Sequence, residues 1–88
     1  MYYVYLLQSK AKNEIYIGST KDLKKRFKDH NAGKEISTKR YKPWDLVYYE
    51  AYSLEKHARL RERNLKYHGN AIRELKKRMG FTQHHFSG

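Results

Sequence analysis

The sequence predicts an α+β domain in which helices flank a three-stranded sheet, mixed or antiparallel, in the order ββαβαα. Two patterns carry that reading. Apolar and aromatic residues alternate with period two in three short segments, and apolar residues recur at helical spacing in three others. There is no internal repeat and no linker, so the 88 residues divide into one domain over 1–80 and a tail over 81–88 that is expected to be disordered. A chain of this size buries only about 60–65% of its unfolded surface, so the core must be compact.

Residues 2–8 set Tyr2, Val4 and Leu6 against Tyr3, Tyr5 and Leu7. Residues 14–18 set Ile15 and Ile17 against Glu14, Tyr16 and Gly18. A four-residue loop from Ser9 to Lys12 places Leu6 opposite Ile15, Val4 opposite Ile17 and Tyr5 opposite Tyr16, which matches like with like. One sheet face is then aliphatic, and the other carries two neighbouring phenols. Ser19 with Asp22 resembles a capping box for a helix over 21–31; Leu23 and Phe27 form its apolar pair, and Gly33 ends it. Residues 34–43 are basic and irregular, a loop with room for one helical turn. A third strand spans 45–52, with Val47, Tyr49 and Ala51 alternating against Leu46, Tyr48, Glu50 and Tyr52. Ser53 caps a helix over 54–67 that carries Leu54, Ala58, Arg61 and Leu65 at helical spacing. A last helix over 71–79 buries Ile72, Leu75 and Met79 and stops at Gly80.

Twenty Lys and Arg against nine Asp and Glu give a formal charge of +11, a field that favours polyanionic partners. Charge alone does not separate nucleic-acid enzymes from ribosomal proteins or membrane-surface binders. The absence of cysteine excludes disulfides, thiolate metal sites and a sulfur nucleophile, and suits a reducing cytoplasm. No apolar run approaches the ~20 residues of a membrane span, and the start of the chain reads as a strand without a basic leader; a cytoplasmic location with no membrane association is expected. P-loop, G-x-G-x-x-G, zinc-cluster and serine-triad patterns are missing, and the adjacent His84 and His85 make a poor preorganised metal site.

Five residues could carry chemistry. Tyr5 and Tyr16 have an ordinary reading as strand packing, but Gly18 beside Tyr16 allows close backbone approach at the start of a helix. Arg26 and His30 share a helical face with the apolar stripe. A solvated basic face explains them equally well. If that helix faces the phenols, Arg26 could fork onto phosphate oxygens and His30 could orient water or phosphate or move a proton. Glu62 lies beside the core-facing stripe of its helix. An i,i+4 pair with Lys66 explains it structurally; the functional reading is a ligand for one Mg²⁺ or Mn²⁺, which needs only one or two carboxylates plus substrate phosphate.

The ordered set Tyr3-Val4-Tyr5, Tyr16-Ile17-Gly18, Arg26, His30 and Ala58-Arg59-Leu60-Arg61-Glu62 resembles the GIY-YIG nuclease superfamily over about residues 1–67. It is most similar to the small stand-alone bacterial branch of the YhbQ type, and the nuclease module of UvrC belongs to the same superfamily. The resemblance implies an antiparallel three-stranded sheet and a metal-dependent endonuclease. In it Glu62 binds the cation, Arg26 holds the scissile phosphate, and Tyr5 or Tyr16 deprotonates or positions the attacking water. A free phenol has a pKa near 10, so either needs help from nearby cations. Two departures stand out: Tyr3 replaces the glycine of the first tripeptide, and Ser19 stands where some relatives carry lysine. Both point to weakened activity. The expected substrate is DNA, or else RNA, read through structure more than sequence and serving repair or processing. Lys21, Lys34, Lys39, Arg40, Lys42, Arg61 and Lys66 would track the phosphate backbone, and a partner protein would supply targeting. The alternative is a binding module for DNA or RNA that keeps the scaffold without catalysis, with Trp44 and the tyrosines stacking on bases.

Overall fold

The structure, a computed structural model, describes residues 1–80; the tail over 81–88, His84 and His85 included, lies outside the described residues. Its elements are β1 (Tyr2–Ser9), β2 (Ile15–Thr20), α1 (Leu23–Asn31), α2 (Ile36–Lys39), β3 (Trp44–Tyr52), α3 (Glu55–Tyr67) and α4 (Gly69–Arg78). The sheet is antiparallel throughout with strand order β2-β1-β3. The expected α+β class and order hold, and the basic loop contributes one extra turn, α2.

β1 is the central strand because it alone is apolar on both faces: Val4, Tyr5, Leu6 and Leu7 are all buried. Its even-numbered side, with Ile17, packs on Ala58 and Leu65 of α3 and Leu75 of α4. Its odd-numbered side, Tyr5 and Leu7, packs with Trp44, Tyr16, Leu46 and the Leu23 and Phe27 pair of α1. The two-residue period thus sorts the faces as read from the sequence.

The register differs from the expected one. Tyr5 lies opposite Gly18, Leu6 opposite Ile17 and Leu7 opposite Tyr16. Ser9 is the cause. It stays in β1, its Oγ accepts from the N–H groups of Ala11 and Lys12 at 3.1 and 3.0 Å, and its own N–H donates to the Glu14 carbonyl at 2.9 Å. The turn therefore spans residues 10–14 instead of 9–12. Because the slip is even, every side chain keeps its face.

Strict alternation also fails in β3. Leu6 pairs with Tyr48 but Leu7 with Leu46, so Val47 is a bulged residue, and Val47 and Tyr48 both reach the aliphatic core. Two caps move as well. Asp22, not Ser19, caps α1 through a 3.1 Å bond from the Lys25 N–H, because β2 continues through Ser19 to Thr20. Leu54, not Ser53, precedes α3; it offers no side-chain cap, and Glu55 supplies the negative charge that suits a helix start. Helix α1 ends as expected at Gly33, whose φ of +77° is in the left-handed region. The Glu50 carboxylate bolts β3 to α3: it accepts from the hydroxyls of Tyr48 and Tyr52 and from Arg61 Nε and Nη2 at 3.0 Å each.

Candidate active site

The site starts at Tyr5, in the middle of the central strand and only 1% exposed. Gly18 makes this possible. A Cβ there would lie 2.6 Å from the Tyr5 hydroxyl and 2.9 Å from Tyr16 Cε2, so only glycine lets the phenol lie across β2. The two tyrosine rings sit side by side, 6.1 Å between centroids, and each also flanks His30, at 5.8 Å from Tyr5 and 4.8 Å from Tyr16.

His30 reaches this place from the last turn of α1 and is completely buried. Its Nε2 lies 2.8 Å from the Tyr5 hydroxyl and its Nδ1 2.8 Å from Thr38 Oγ1 in α2. The Thr38 hydroxyl points at the Glu35 carbonyl, 3.5 Å away. The chain then runs one way: Thr38 donates to that carbonyl and accepts from Nδ1–H, which leaves Nε2 to accept from Tyr5. Burial, and then the Arg26 charge, hold the imidazole below its ordinary pKa, so it is neutral at pH 7. Its burial leaves no opening for the direct contact with water or phosphate considered from the sequence. Proton exchange with Tyr5 remains open to it.

Arg26 projects from α1 and is paired to the Glu35 carboxylate through Nη1. That hydrogen bond raises the guanidinium pKa and lowers that of Glu35. Burial raises the Tyr5 phenol well above its ordinary value, and the neighbouring Tyr16 adds to the rise. Arg26 pulls the other way through its charge and a hydrogen bond, and Glu62 makes a small additional rise.

Glu62 comes from α3. Its Oε1 accepts from Ser19 Oγ at 2.5 Å and its Oε2 from Lys66 Nζ at 2.7 Å. Burial works to raise the carboxyl pKa, but the Lys66 and Ser19 hydrogen bonds outweigh it, so the group is held below its ordinary value and ionised. Lys66 also links Glu62 to the phenols, with Nζ 5.9 Å from the Tyr16 ring centre. A polar depression of about 240 Å³ opens beside Ser19, lined also by Lys21, Glu55 and Arg59. Among the described residues no three His, Cys, Asp or Glu side chains stand together as a metal-binding group. What the donor set fits is a cation held by one carboxylate, most of its shell being water and substrate oxygens. A side chain 21% exposed, ionised and already holding an ammonium meets that need.

The basic residues do not form one set. Lys21, Lys39, Arg40 and Lys42 are exposed. Lys34 pairs loosely with Asp29 at 3.7 Å, and Lys66 is held by Glu62. Arg61 is committed to Glu50, with the aliphatic core and away from Tyr5. Sequence reasoning missed Glu35, Thr38 and the role of Ser19. Glu35 had one legible sign, being the only acid between Lys34 and Lys42.

Fold and site together define a basic α+β domain with two phenols side by side along the β1–β2 hairpin, a buried imidazole bonded to one of them, and a carboxylate bonded to Ser19 of β2. The profile of the family described as the GIY-YIG catalytic domain matches residues 1–79, and the chain belongs to that family. That family is one of nuclease domains. Similar proteins include the UPF0213 proteins of Streptococcus pyogenes serotype M5 (strain Manfredo), serotype M2 (strain MGAS10270) and serotype M28 (strain MGAS6180). Each is 47% identical over 51 residues, which is 57% of this chain and 54% of the relative, so the matched stretch spans about half the length of those proteins. No solved structure matches significantly.

Proposed function

We propose that the chain is a divalent-cation-dependent endonuclease that hydrolyses DNA phosphodiester bonds. The observation that carries this reading is that the Tyr5 and Tyr16 rings lie 6.1 Å apart, with His30 bonded to the Tyr5 hydroxyl and the Lys66 ammonium, paired to Glu62, 5.9 Å from the Tyr16 ring centre, although these residues come from β1, β2, α1 and α3. In this reading Glu62 holds one Mg²⁺ or Mn²⁺ in exchange for the Lys66 ammonium. When bound, the cation supplies charge neutralisation at the phosphate and lowers the pKa of bound water. Arg26 offsets the negative charge that grows on the phosphoryl oxygens as the water attacks. For this step the Tyr5 hydroxyl, buried in the free protein, opens toward the substrate and takes the proton of that water while passing its own to His30 Nε2, as the P–O bond to the leaving strand breaks and the departing oxygen takes a proton from solvent. The imidazole, fixed by Thr38, thereby spares the buried site a free phenolate. Tyr16 positions the water against this pair, and Gly18 keeps the two phenols adjacent.

Exposed Lys21, Lys39, Arg40 and Lys42 track the phosphate backbone, which implies affinity that falls steeply with salt. A role in repair or processing, a cytoplasmic location and a partner that supplies targeting are consistent with this chemistry. One observation favours the alternative of a binding module without turnover: both Glu62 oxygens already have donors inside the protein.

Cleavage of plasmid, branched and single-stranded DNA with and without Mg²⁺ or Mn²⁺ tests the reading. Wild type should cut only with metal. Glu62→Ala and Arg26→Ala should abolish cutting, and Tyr5→Phe should lower the rate about 10²–10⁴-fold, the range of a general base. A wild type that binds DNA and never cuts leaves only the binding module.

A further inference from the structure

A second concave surface lies apart from Tyr5. It is a cleft of about 750 Å³ between the start of α1 and the sheet, walled by Tyr3, Phe27, Leu46 and Tyr49 and rimmed by Lys21 and Lys24. Tyr3 and Tyr49 meet edge to face with 6.0 Å between ring centroids, and Tyr49 is left 55% exposed. Tyr3 pairs across the sheet with Thr20 on one side and Ala51 on the other, so the cleft follows the same sheet face as Tyr5, two residues along β1.

The rim is cationic in a particular way. Among the described residues neither Lys21 nor Lys24 has an ion pair, whereas the next lysine of α1, Lys25, is held by Asp29 at 2.9 Å. The Asp22 carboxylate, which also lines the cleft, accepts from the Lys25 N–H as the helix cap, and Lys21 Nζ lies 5.9 Å from the Tyr2 ring centre, so Lys24 is the ammonium nearest to serving the cleft alone and Lys21 must swing from Tyr2 to join it. Lys21 also lines the polar depression beside Ser19, whose hydroxyl donates to Glu62. The two depressions therefore meet at one lysine.

We propose that this cleft binds an unpaired nucleobase of a single-stranded segment, stacked on Tyr49 and Tyr3, with its flanking phosphates on Lys21 and Lys24. An aromatic wall beneath a cationic rim matches the two halves of a nucleotide, since every base has a π-face and every link a negative charge. A fully paired duplex keeps its bases stacked inside and offers only phosphates to this surface. The cleft thus directs the Glu62 site to strands with unpaired bases; in that respect it rests on the proposed nuclease reading and names its substrate class.

The test is equilibrium binding in EDTA, where no cutting occurs. The probes are a single-stranded oligonucleotide, its full duplex, and that duplex with one unpaired fluorescent adenine analogue. Tyr49→Ala should weaken the single-stranded and unpaired-base probes about 5–100-fold, the worth of one base stacked on an aromatic ring, and leave the duplex unchanged. Tyr49→Phe should restore both the affinity and the quenching of the analogue. Tyr67→Ala, at another exposed tyrosine, should change nothing. Lys24→Gln should lower affinity and flatten the salt dependence by about one phosphate contact. Equal loss on all three probes with Tyr49→Ala, no loss on any, or a Tyr49→Phe variant as weak as the alanine, overturns the proposal. With Mg²⁺ restored, the two readings separate. A wild type that prefers unpaired bases through Tyr49 but never cuts keeps the cleft and removes the nuclease. One that cuts, with Tyr49→Ala indifferent to pairing, does the reverse.

Discussion

Gly18→Ala is the sharpest test of how the site is built. The added methyl would lie 2.6 Å from the Tyr5 hydroxyl, 2.8 Å from its Cζ and 2.9 Å from Tyr16 Cε2, all inside any normal carbon contact. The Tyr5 ring has no free space to yield, being buried between β2 and His30, whereas the partly exposed Tyr16 ring can shift. Overpacking of this kind costs about 1–3 kcal/mol. If the phenol swings away, it leaves His30 Nε2 buried without a partner, for about 1–3 kcal/mol more. Alanine also restricts the unfolded chain, which returns about 0.4–1 kcal/mol. The net expectation is a loss of about 2–5 kcal/mol, or roughly 10 °C or more in Tm for a domain of this size. Urea unfolding followed by Trp44 fluorescence reads it directly, because the one tryptophan is buried in the same core cluster as Tyr5. Gly69→Ala is the control: nothing lies within 4 Å of its Cβ, and at the start of α4 alanine should be neutral or mildly stabilising. Tyr5→Phe removes the 2.6 Å contact but not the other two, so the double variant should recover part of the loss. If Gly18→Ala unfolds at the same urea concentration as Gly69→Ala, the close approach described here is wrong.

Four further expectations come from other contacts of the fold. The His30 pKa is lower folded than unfolded, so its proton is taken up mainly by the unfolded chain. Stability should be level above the ordinary imidazole value and fall as pH drops below about 6.5, by at most about 1.4 kcal/mol per unit, and His30→Gln should flatten that region. Asp29, Glu35, Glu50 and Glu62 are held below their ordinary values, which adds a second loss as the pH falls into and below the carboxylate range, and denaturation curves at several pH values should separate the two. Glu50→Gln should cost about 1.5–3 kcal/mol by chemical denaturation, and Arg61→Gln should lower stability without changing the salt dependence of DNA binding. Lys66→Met should tighten Mg²⁺ binding measured by calorimetry, because the ammonium 2.7 Å from Glu62 competes with the metal; unchanged or weaker binding would separate Lys66 from the cation site.

Much of the architecture was legible because it depends on neighbours in the chain. Alternation in residues 2–8 and 14–18 put Tyr5 and Tyr16 on one face and Val4, Leu6, Ile15 and Ile17 on the other, and the structure keeps that division. Helical spacing placed Ala58, Leu65 and Leu75 against the aliphatic side. The i,i+4 relation also anticipated the Glu62 and Lys66 pair. What failed were local signals overruled from a distance. Ser19 has the composition of a cap, but backbone pairing with Val4 holds it in β2, where its hydroxyl serves Glu62. Val47 fits an alternating strand, but the bulge turns it to the side of Tyr48.

The sequence by itself determined the order of elements, the two faces of the sheet and the family, because periodicity and motif spacing are properties of the chain. Only the tertiary structure decided which groups are spoken for. Arg26 and His30 looked alike as polar residues one helical turn apart, yet one is a half-open guanidinium paired to Glu35 and the other is sealed between Tyr5 and Thr38. Arg61 and Lys21 looked alike as basic residues, yet one is locked to Glu50 and the other stands at the rim of an aromatic cleft. Burial and partner charges depend on what the fold brings from elsewhere in the chain, and no local pattern carries that information.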